Sequence, residues 1–303
     1  MQEIADEVRS VLRAATRSGP RSVRLAHGRR LRLSGKTLVM GVVNVTPDSF
    51  FDGGRYASTD DAVRHGLRLV EEGADLLDIG GESTRPGSAP VPVREELRRV
   101  LPVLRSLRAR SHVPLSVDTS KPEVAREALR NGAGLVNDVS GLGDRRMREV
   151  VRRAGAAAVV MHMRGRPRDM QADTRYDDLL AEVFAELAER TARAEREGIA
   201  SDQLVVDPGV GFGKSFEGNL ELLRRLGEFR SLGYPVMVGA SRKSFLGALL
   251  GGAPPEHRGE ASVTAAVLAS LRGASIVRVH DVGPTKEALR VSDAFRRGWP
   301  LRE

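Results

Sequence analysis

The sequence predicts an α/β protein: one (β/α)8 TIM barrel behind a short extension made of a helix and a β-hairpin. Three observations carry this. Eight short apolar runs each end in a turn rich in Gly, Asp, Asn or Ser, and each is followed by a helical pattern. Strands alternating with helices imply a parallel sheet. The chain has 303 residues, and the 267 that follow the first 36 match the roughly 250 of such a barrel. The rival, an open doubly wound sheet, is disfavoured because Gly41 leads into Val-Val-Asn and no G-x-G-x-x-G opens the first helix.

The elements follow in chain order. Within residues 3–17, Ile4, Val8, Val11, Leu12 and Ala15 share one helical face, and Ser18-Gly19-Pro20 ends the helix. Residues 23–25 and 31–33 alternate around His27-Gly28 as a hairpin. This 1–36 extension is expected to pack across the barrel bottom rather than to bind a partner. The barrel proper is assigned to 37–303. Its apolar runs lie at 38–43, 76–79, 114–117, 134–136, 157–161, 203–206, 235–238 and 275–279. The helical patterns lie near 59–72, 93–109, 121–131, 143–154, 177–198, 217–230, 259–272 and 284–297, with a short helix after Ser241.

Composition narrows the chemistry. The absence of Cys excludes disulfides, thiolate metal sites and cysteine nucleophiles together. No apolar stretch approaches the roughly 20 residues of a membrane span. The N-terminus carries Glu3, Asp6 and Glu7 where a secretory signal would be basic and then apolar. A cytoplasmic location is expected. The net charge of +8 raises a nucleic-acid reading. However, 43 of the 48 basic residues are Arg, they are scattered, and there are only three Tyr and one Trp. Arg-rich helix surfaces explain the charge better than an aromatic-interleaved binding face.

Barrel sites form at the C-terminal ends of the strands. The eight runs end in Asn44, Asp78-Ile-Gly-Gly-Glu82, Asp118-Thr-Ser120, Asn137-Asp138, Met161-His162, Asp207-Pro-Gly, Gly239-Ala-Ser241-Arg-Lys243 and Arg278-Val-His280-Asp281. Any one of these reads as a helix cap or turn residue. Eight at one rim read as a site. Asp118, Asn137 and Asp207 suit the amino-pyrimidinone edge of a flat heterocycle, with Lys243 near its acceptor atoms. Arg85, Arg278 and His280 come from neighbouring strands and suit a diphosphate. Asn44 offers a neutral oxygen to Mg²⁺. Residues 44–54 and 80–88 form long loops after the first two strands, and long loops are often lids. Residues 164–168 read as a solvated basic loop. His162 reads equally as a catalytic group or as a satisfied buried histidine.

Eight segments in order carry a resemblance: MGVVNVTPDSFFDGG (40–54), DIGGESTRPG (78–87), SVDTSK (116–121), NDVSG (137–141), VMHMRGRPRDMQ (160–171), DPGVGFGKSFEGN (207–219), VGASRKSFLG (238–247) and RVHDVG (278–283). Together they resemble the dihydropteroate synthases of folate biosynthesis, a family of (β/α)8 barrels. The resemblance implies condensation of 6-hydroxymethyl-7,8-dihydropterin diphosphate with para-aminobenzoate, giving 7,8-dihydropteroate and pyrophosphate with Mg²⁺. It also implies that the chain is of the family targeted by sulfonamides and forms a homodimer through late helices, here the stretch with Ala261, Ala265, Ala266 and Leu268. By position it implies a catalytic role for Asp118, Asp207 and Lys243. Pterin contacts would come from these three with Asn137, Met161 and Phe212. Diphosphate contacts would come from Asn44, Arg85, Arg278 and His280, with Asn44 the metal ligand. Aminobenzoate contacts would come from Thr84, Arg85, Pro86, Ser241 and Phe50.

Three other readings remain. A methyltetrahydrofolate methyltransferase barrel would share the Asp/Asn set but lack Arg85, Arg278, His280 and the S-T-R-P-G loop. A non-catalytic paralogue should have lost several rim residues, and none is missing. A nucleic-acid-binding protein would show a salt-dependent gel shift.

Overall fold

The computed structural model describes residues 22–33, 36–46, 59–84 and 87–297, with side chains to residue 295. The proposed helix at 3–17 lies outside the described residues, as do Phe50, Arg85 and Pro86.

Two short strands, β1 (Ser22–Arg24) and β2 (Arg30–Arg32), pair antiparallel. His27 and Gly28 both adopt positive φ at the tip, the left-handed region that such a tight reversal demands. Eight parallel strands then alternate with helices. They are β3 (Leu38–Asn44), β4 (Leu76–Gly80), β5 (Leu115–Asp118), β6 (Leu135–Asp138), β7 (Ala157–Met161), β8 (Leu204–Asp207), β9 (Met237–Val238) and β10 (Ile276–Val279). Sequential strands pair from β3 round to β8, and β10 pairs with both β3 and β9. A parallel bridge from Val206 to Val236, with Val206 N donating to the Pro235 carbonyl at 2.9 Å, closes β8 onto β9. The result is the (β/α)8 barrel read from the repeating units.

The outer helices are α1 (Thr59–Glu71), α2 (Val93–Arg110), α3 (Pro122–Arg130), α4 (Arg145–Ala154), α5 (Leu179–Arg196), α6 (Phe216–Arg224), α7 (Ser244–Leu249), α8 (Gly259–Leu271) and α9 (Val282–Arg297). Their starts follow local chemistry. Asp144, Asp178 and Ser215 accept hydrogen bonds from the first-turn amides of α4, α5 and α6. Pro122 occupies the first turn of α3, where its missing N–H is harmless. One helix departs from expectation. The pattern at 217–230 predicts a continuous helix, but α6 stops at Arg224 and a 3₁₀ segment runs Leu226–Leu232. Residues three apart eclipse in a 3₁₀ helix. Leu226 and Phe229 thereby enter the core together, both fully buried.

Strand alternation divides the core in two. Residues such as Val39, Leu77, Val117, Val136 and Val160 pack outward against the helices. The inward set of Leu38, Met40, Leu76, Leu135, Val159, Val205, Met237 and Ile276 fills the barrel's lower half. Val23, Leu25 and Leu31 of the hairpin join this inward cluster. The Ala26 amide donates to the Gly134 carbonyl at 3.1 Å, so the hairpin is a plug at the bottom of the barrel.

Candidate active site

The same alternation carries polar residues inward at the upper end. Asn44, Asp118, Asn137, Met161 and Asp207 end their strands facing the mouth, with Arg278 from β10. Register fixes their neighbours: Gly80 is level with both Asn44 and Asp118, Asp118 with Asn137, and Met161 with Asp207. At Gly80 an added Cβ would lie 3.3 Å from the Asp118 Cβ, so the missing side chain leaves room for that carboxylate.

Asp118, Asn137 and Asp207 are all buried. Burial pushes the Asp118 carboxyl up to about 7; the Arg278 guanidinium opposes this, while Asp78, Glu96 and Asp138 reinforce it. Burial raises Asp207 as well, against the amide hydrogen bond from Gly209 at 2.7 Å and the cations of Lys243 and Lys214. Burial also lowers Lys243 to about 7, although Asp207 favours its charge. A cluster of acids raised and a lysine lowered inside one cleft is the electrostatic signature of a functional site.

The loop after β8 shapes one wall. Gly211 has φ of +83°, and a Cβ there would lie 2.6 Å from the Lys243 side chain. Gly209, at φ +70°, passes so close to the His162 carbonyl that a Cβ would overlap it. Only glycine fits both constraints. The Lys243 ammonium donates to the Val210 carbonyl and lies 4.1 Å from the centre of the Phe212 ring. Phe212 in turn packs on a patch of Val139, Met161, Met163 and Met170. Met161 and Phe212 therefore share one apolar wall, with Lys243 over the ring.

Arg278 lies inside the mouth. Its Nε donates to Asp78 Oδ2 at 2.6 Å and its Nη2 to Asp118 Oδ2 at 2.7 Å. Asn137 Nδ2 donates to the same Asp78 oxygen at 2.8 Å. Asp78 thus holds two of the expected ligand-binding side chains at once, a role the residue pattern did not single out. Its signal was available, because Asp78 is the inward carboxylate of an otherwise apolar strand. The other inferred diphosphate residue, His280, has its ring Nδ1 3.0 Å from Ser241 Oγ, and its amide donates to the same hydroxyl at 3.2 Å. This brings Ser241 beside the β10 rim. Arg242, between Ser241 and Lys243, takes φ of +58° and forms a two-pronged pair with Asp281. Thr84 lines a cleft of about 250 Å³ together with Glu82, Asp118 and Ser120.

Some rim residues have other duties. Asp138 faces outward, where its carboxylate accepts from the Ser140 and Leu142 amides and the Ser140 hydroxyl. His162 is the satisfied histidine of the two readings. It is 1% exposed, with Nδ1 2.8 Å from Lys214 Nζ and Nε2 3.1 Å from Glu186 Oε2. Burial lowers its pKa, so the ring is neutral near pH 7. Burial likewise lowers Lys214 to about 7, and this lysine also donates to the Phe212 carbonyl at 2.8 Å. Lys214, one of five lysines in the chain, ties β7 to the loop that carries Phe212. In the basic loop, Arg164 stacks 3.7 Å over the Tyr176 ring and pairs with Glu182. Arg166 and Arg168 of the same loop are exposed, as its composition implies.

The family model of pterin-binding enzymes matches residues 40–280. The dihydropteroate synthase of Escherichia coli strain K12 is 49% identical over 256 residues, covering 84% of this chain and 90% of that protein. The structure of Xanthomonas albilineans dihydropteroate synthase with 4-aminobenzoic acid superposes with a TM-score of 0.86. Its identity is 51%, and the match covers 91% of this chain and 99% of that one. A second structure of the Xanthomonas enzyme, in complex with 7,8-dihydropteroate, superposes with a TM-score of 0.82 at 49% identity over 90% and 99% of the two chains. The chain belongs to the pterin-binding enzymes and, within them, to the dihydropteroate synthase family.

Proposed function

We propose that this chain condenses 6-hydroxymethyl-7,8-dihydropterin diphosphate with para-aminobenzoate to form 7,8-dihydropteroate and pyrophosphate, a step of folate biosynthesis. The observation that carries this is the inward set of Asp118, Asn137, Asp207 and Lys243 in one mouth, in a chain half identical to synthases solved with 4-aminobenzoic acid and with 7,8-dihydropteroate. The acids and the amide hold the amino-pyrimidinone edge, and Lys243 donates to a ring acceptor. The pterin ring lies against Met161 and Phe212.

Arylamines are weak nucleophiles, so the electrophile must be strongly activated. The bond from the pterin methylene carbon to the diphosphate oxygen breaks first, and its electron pair leaves with pyrophosphate. Arg278, His280 and Arg85 stabilise that leaving charge. The resulting cation spreads into the pterin ring beside the Asp118 and Asp207 carboxylates. The aminobenzoate nitrogen, held near Thr84, Arg85, Pro86, Ser241 and Phe50, then forms the new C–N bond and loses a proton to solvent. This is an S_N1-like displacement with no covalent enzyme intermediate. Sulfonamides, as aminobenzoate analogues, would compete at the same place.

The donor set also fits Mg²⁺. Asn44 offers a neutral hard oxygen at the inward end of β3, and no group of three His or acidic side chains among the described residues would cage a cation. A magnesium ion held by Asn44 would complete its shell with diphosphate oxygens and water, and would supply charge neutralisation to the leaving group.

A homodimer through the late helices is the proposed assembly. Ala265 and Ala266 of the expected stretch face the core, while Leu268, Leu271, Val291 and Phe295 of α8 and α9 are exposed, Phe295 at 90%. An apolar face of this kind favours a second copy. No helix among the described residues is long and apolar enough to cross a membrane, and a cytoplasmic location accords with that. A pyrophosphate-release assay with dihydropterin diphosphate and Mg²⁺, with and without para-aminobenzoate, tests the reaction. Absence of turnover would overturn the assignment.

A further inference from the structure

Away from the pterin-facing ring, one lysine and two glutamates meet where three elements converge. Lys121, at the N-cap of α3, donates through Nζ to Glu82 Oε2 and, at 2.5 Å, to Glu96 Oε2. Glu96 belongs to the first turn of α2 and is fully buried, with its second oxygen unpartnered. Glu82 sits at the root of the loop after β4. Its other oxygen accepts from the Val91 amide at 3.2 Å, so Glu82 closes that loop onto its own far end.

The loop has three further restraints. Arg99 Nη1 donates to the Gly81 carbonyl at 2.9 Å. Gly81 also lies flat on α2, where an added Cβ would lie 2.9 Å from a Val100 methyl and 3.0 Å from Glu96 Cγ. Ser83 and Ser88 hydroxyls join across the loop at 3.0 Å. The same cleft is walled by Glu82, Ser83 and Thr84 on one side and by Asp118, Thr119 and Ser120 on the other. Lys121 follows directly on the second wall, and its amide donates to Thr119 Oγ1 at 3.2 Å.

Two acids and one lysine in a buried seam are a poor way to gain stability. Apolar side chains of similar volume there would often be neutral or better. What the ions supply is direction: one ammonium sets the spacing of two carboxylates on different elements. Burial disfavours the Lys121 charge, but the hydrogen bonds to Glu82 and Glu96 outweigh it and raise its pKa, so the lysine is charged at neutral pH. The Glu96 charge also reaches Asp118, whose protonation it favours.

We propose that Lys121 and Glu96, acting through Glu82, are positioning residues that set the distance between the Ser83–Thr84 wall and the Asp118 strand end, and so tune the fit of para-aminobenzoate. This rests on the dihydropteroate synthase reading above. Neither Lys121 nor Glu96 need touch a substrate. The link acts on the second substrate, because the pterin-side residues are held by other partners: Asp118 by Arg278, Asn137 by Asp78, Asp207 by the Gly209 amide and Lys243 by the Val210 carbonyl.

The test compares Michaelis constants in the pyrophosphate-release assay for the full chain and for K121M, K121R, E82Q and the double variant K121M/E96Q. The double variant removes the buried uncompensated carboxylate that could unfold K121M. Expected is a rise of about tenfold in KM for para-aminobenzoate in K121M/E96Q and E82Q, with KM for dihydropterin diphosphate within about twofold of the parent. K121R, which keeps the cation, should recover most of the aminobenzoate KM. Parallel rises in both constants, or an unchanged aminobenzoate KM in the folded double variant, would overturn the inference while leaving the reaction intact. An unmutated chain that releases no pyrophosphate would overturn the reaction itself, and the inference with it.

Discussion

The bottom and the mouth of this barrel are built from the same strands and the same alternation, yet they are chemical opposites. At the bottom, Leu38, Leu76, Leu135 and Ile276 meet Val23, Leu25 and Leu31 of the hairpin in a dry cluster. About 7 Å further along the strands, two residues at 3.3 Å each, the inward positions become Asp78, Asp118, Asn137, Asp207 and Arg278. The lower half contributes burial. The upper half carries desolvated charges whose mutual contacts only partly offset the loss of water: Asp78 keeps a buried oxygen with no partner, and Asp118 is pushed toward its neutral form. The contrast locates stability at one end of the barrel and chemistry at the other.

The contrast can be broken most severely at Asp78. Asp78→Ala would remove one of the two carboxylates that pair with Arg278 and release Asn137, so unfolding free energy should fall by about 3–5 kcal/mol, the usual effect of removing one partner of a buried pair. Chemical denaturation would show it, and turnover should fall as well. An unchanged midpoint would mean that Arg278 finds another partner.

The bottom should respond in stability alone. Leu25→Ala is expected to lower unfolding free energy by about 2–5 kcal/mol while the folded fraction keeps the parental kcat. A change in kcat would show that the plug communicates with the mouth. The mouth should respond in rate. Asp118→Asn is expected to slow pyrophosphate release by about a hundred- to a thousandfold, comparable to losing one preorganised electrostatic contact in a buried site. The loss should persist without aminobenzoate, because Asp118 acts on the departure step. Unchanged release would remove the electrostatic role assigned to it.

The mildest probe is pH. The folded pKa of Asp118 lies above its unfolded value, so its contribution to stability is present below about pH 4 and is lost as pH rises toward 7. Lys243 has the opposite shift, so its contribution is present above about pH 10.5 and is lost as pH falls toward 7. Activity needs the Asp118 carboxylate, so kcat/KM should fall on the acid side with a midpoint near 7. Arg278, Asp78, Glu96 and Asp138 surround Asp118 and make this a property of the cluster. A midpoint near 4 would show that Asp118 is better solvated than its position implies.

Much of the architecture was legible because it is local. The runs at 38–43 and 157–161 are apolar over consecutive residues, as strands covered on both faces are, and the turns after them carry glycine and acids. The break of α6 at Arg224 was not legible, since the helical pattern continues through Leu226 and Phe229 and only core packing favours the tighter 3₁₀ turn. His162 could not be resolved either. Its neutrality comes from burial in the folded chain, and its partners Lys214 and Glu186 lie 52 and 24 residues further along.

By itself, the sequence determined the order of strand and helix and the polar residues at each strand end, all set by local pattern over a few residues. Only the tertiary structure decided which charges meet. Arg278 and Asp78 are 200 residues apart. Their contact exists because the barrel closes β10 onto β3 and β3 onto β4. Closure likewise turns a surface hairpin into the plug of the barrel floor and leaves Asp138 outside the site. Periodicity is a property of a segment. A desolvated ion pair is a property of the closed barrel, which alone brings distant side chains together and removes the water between them.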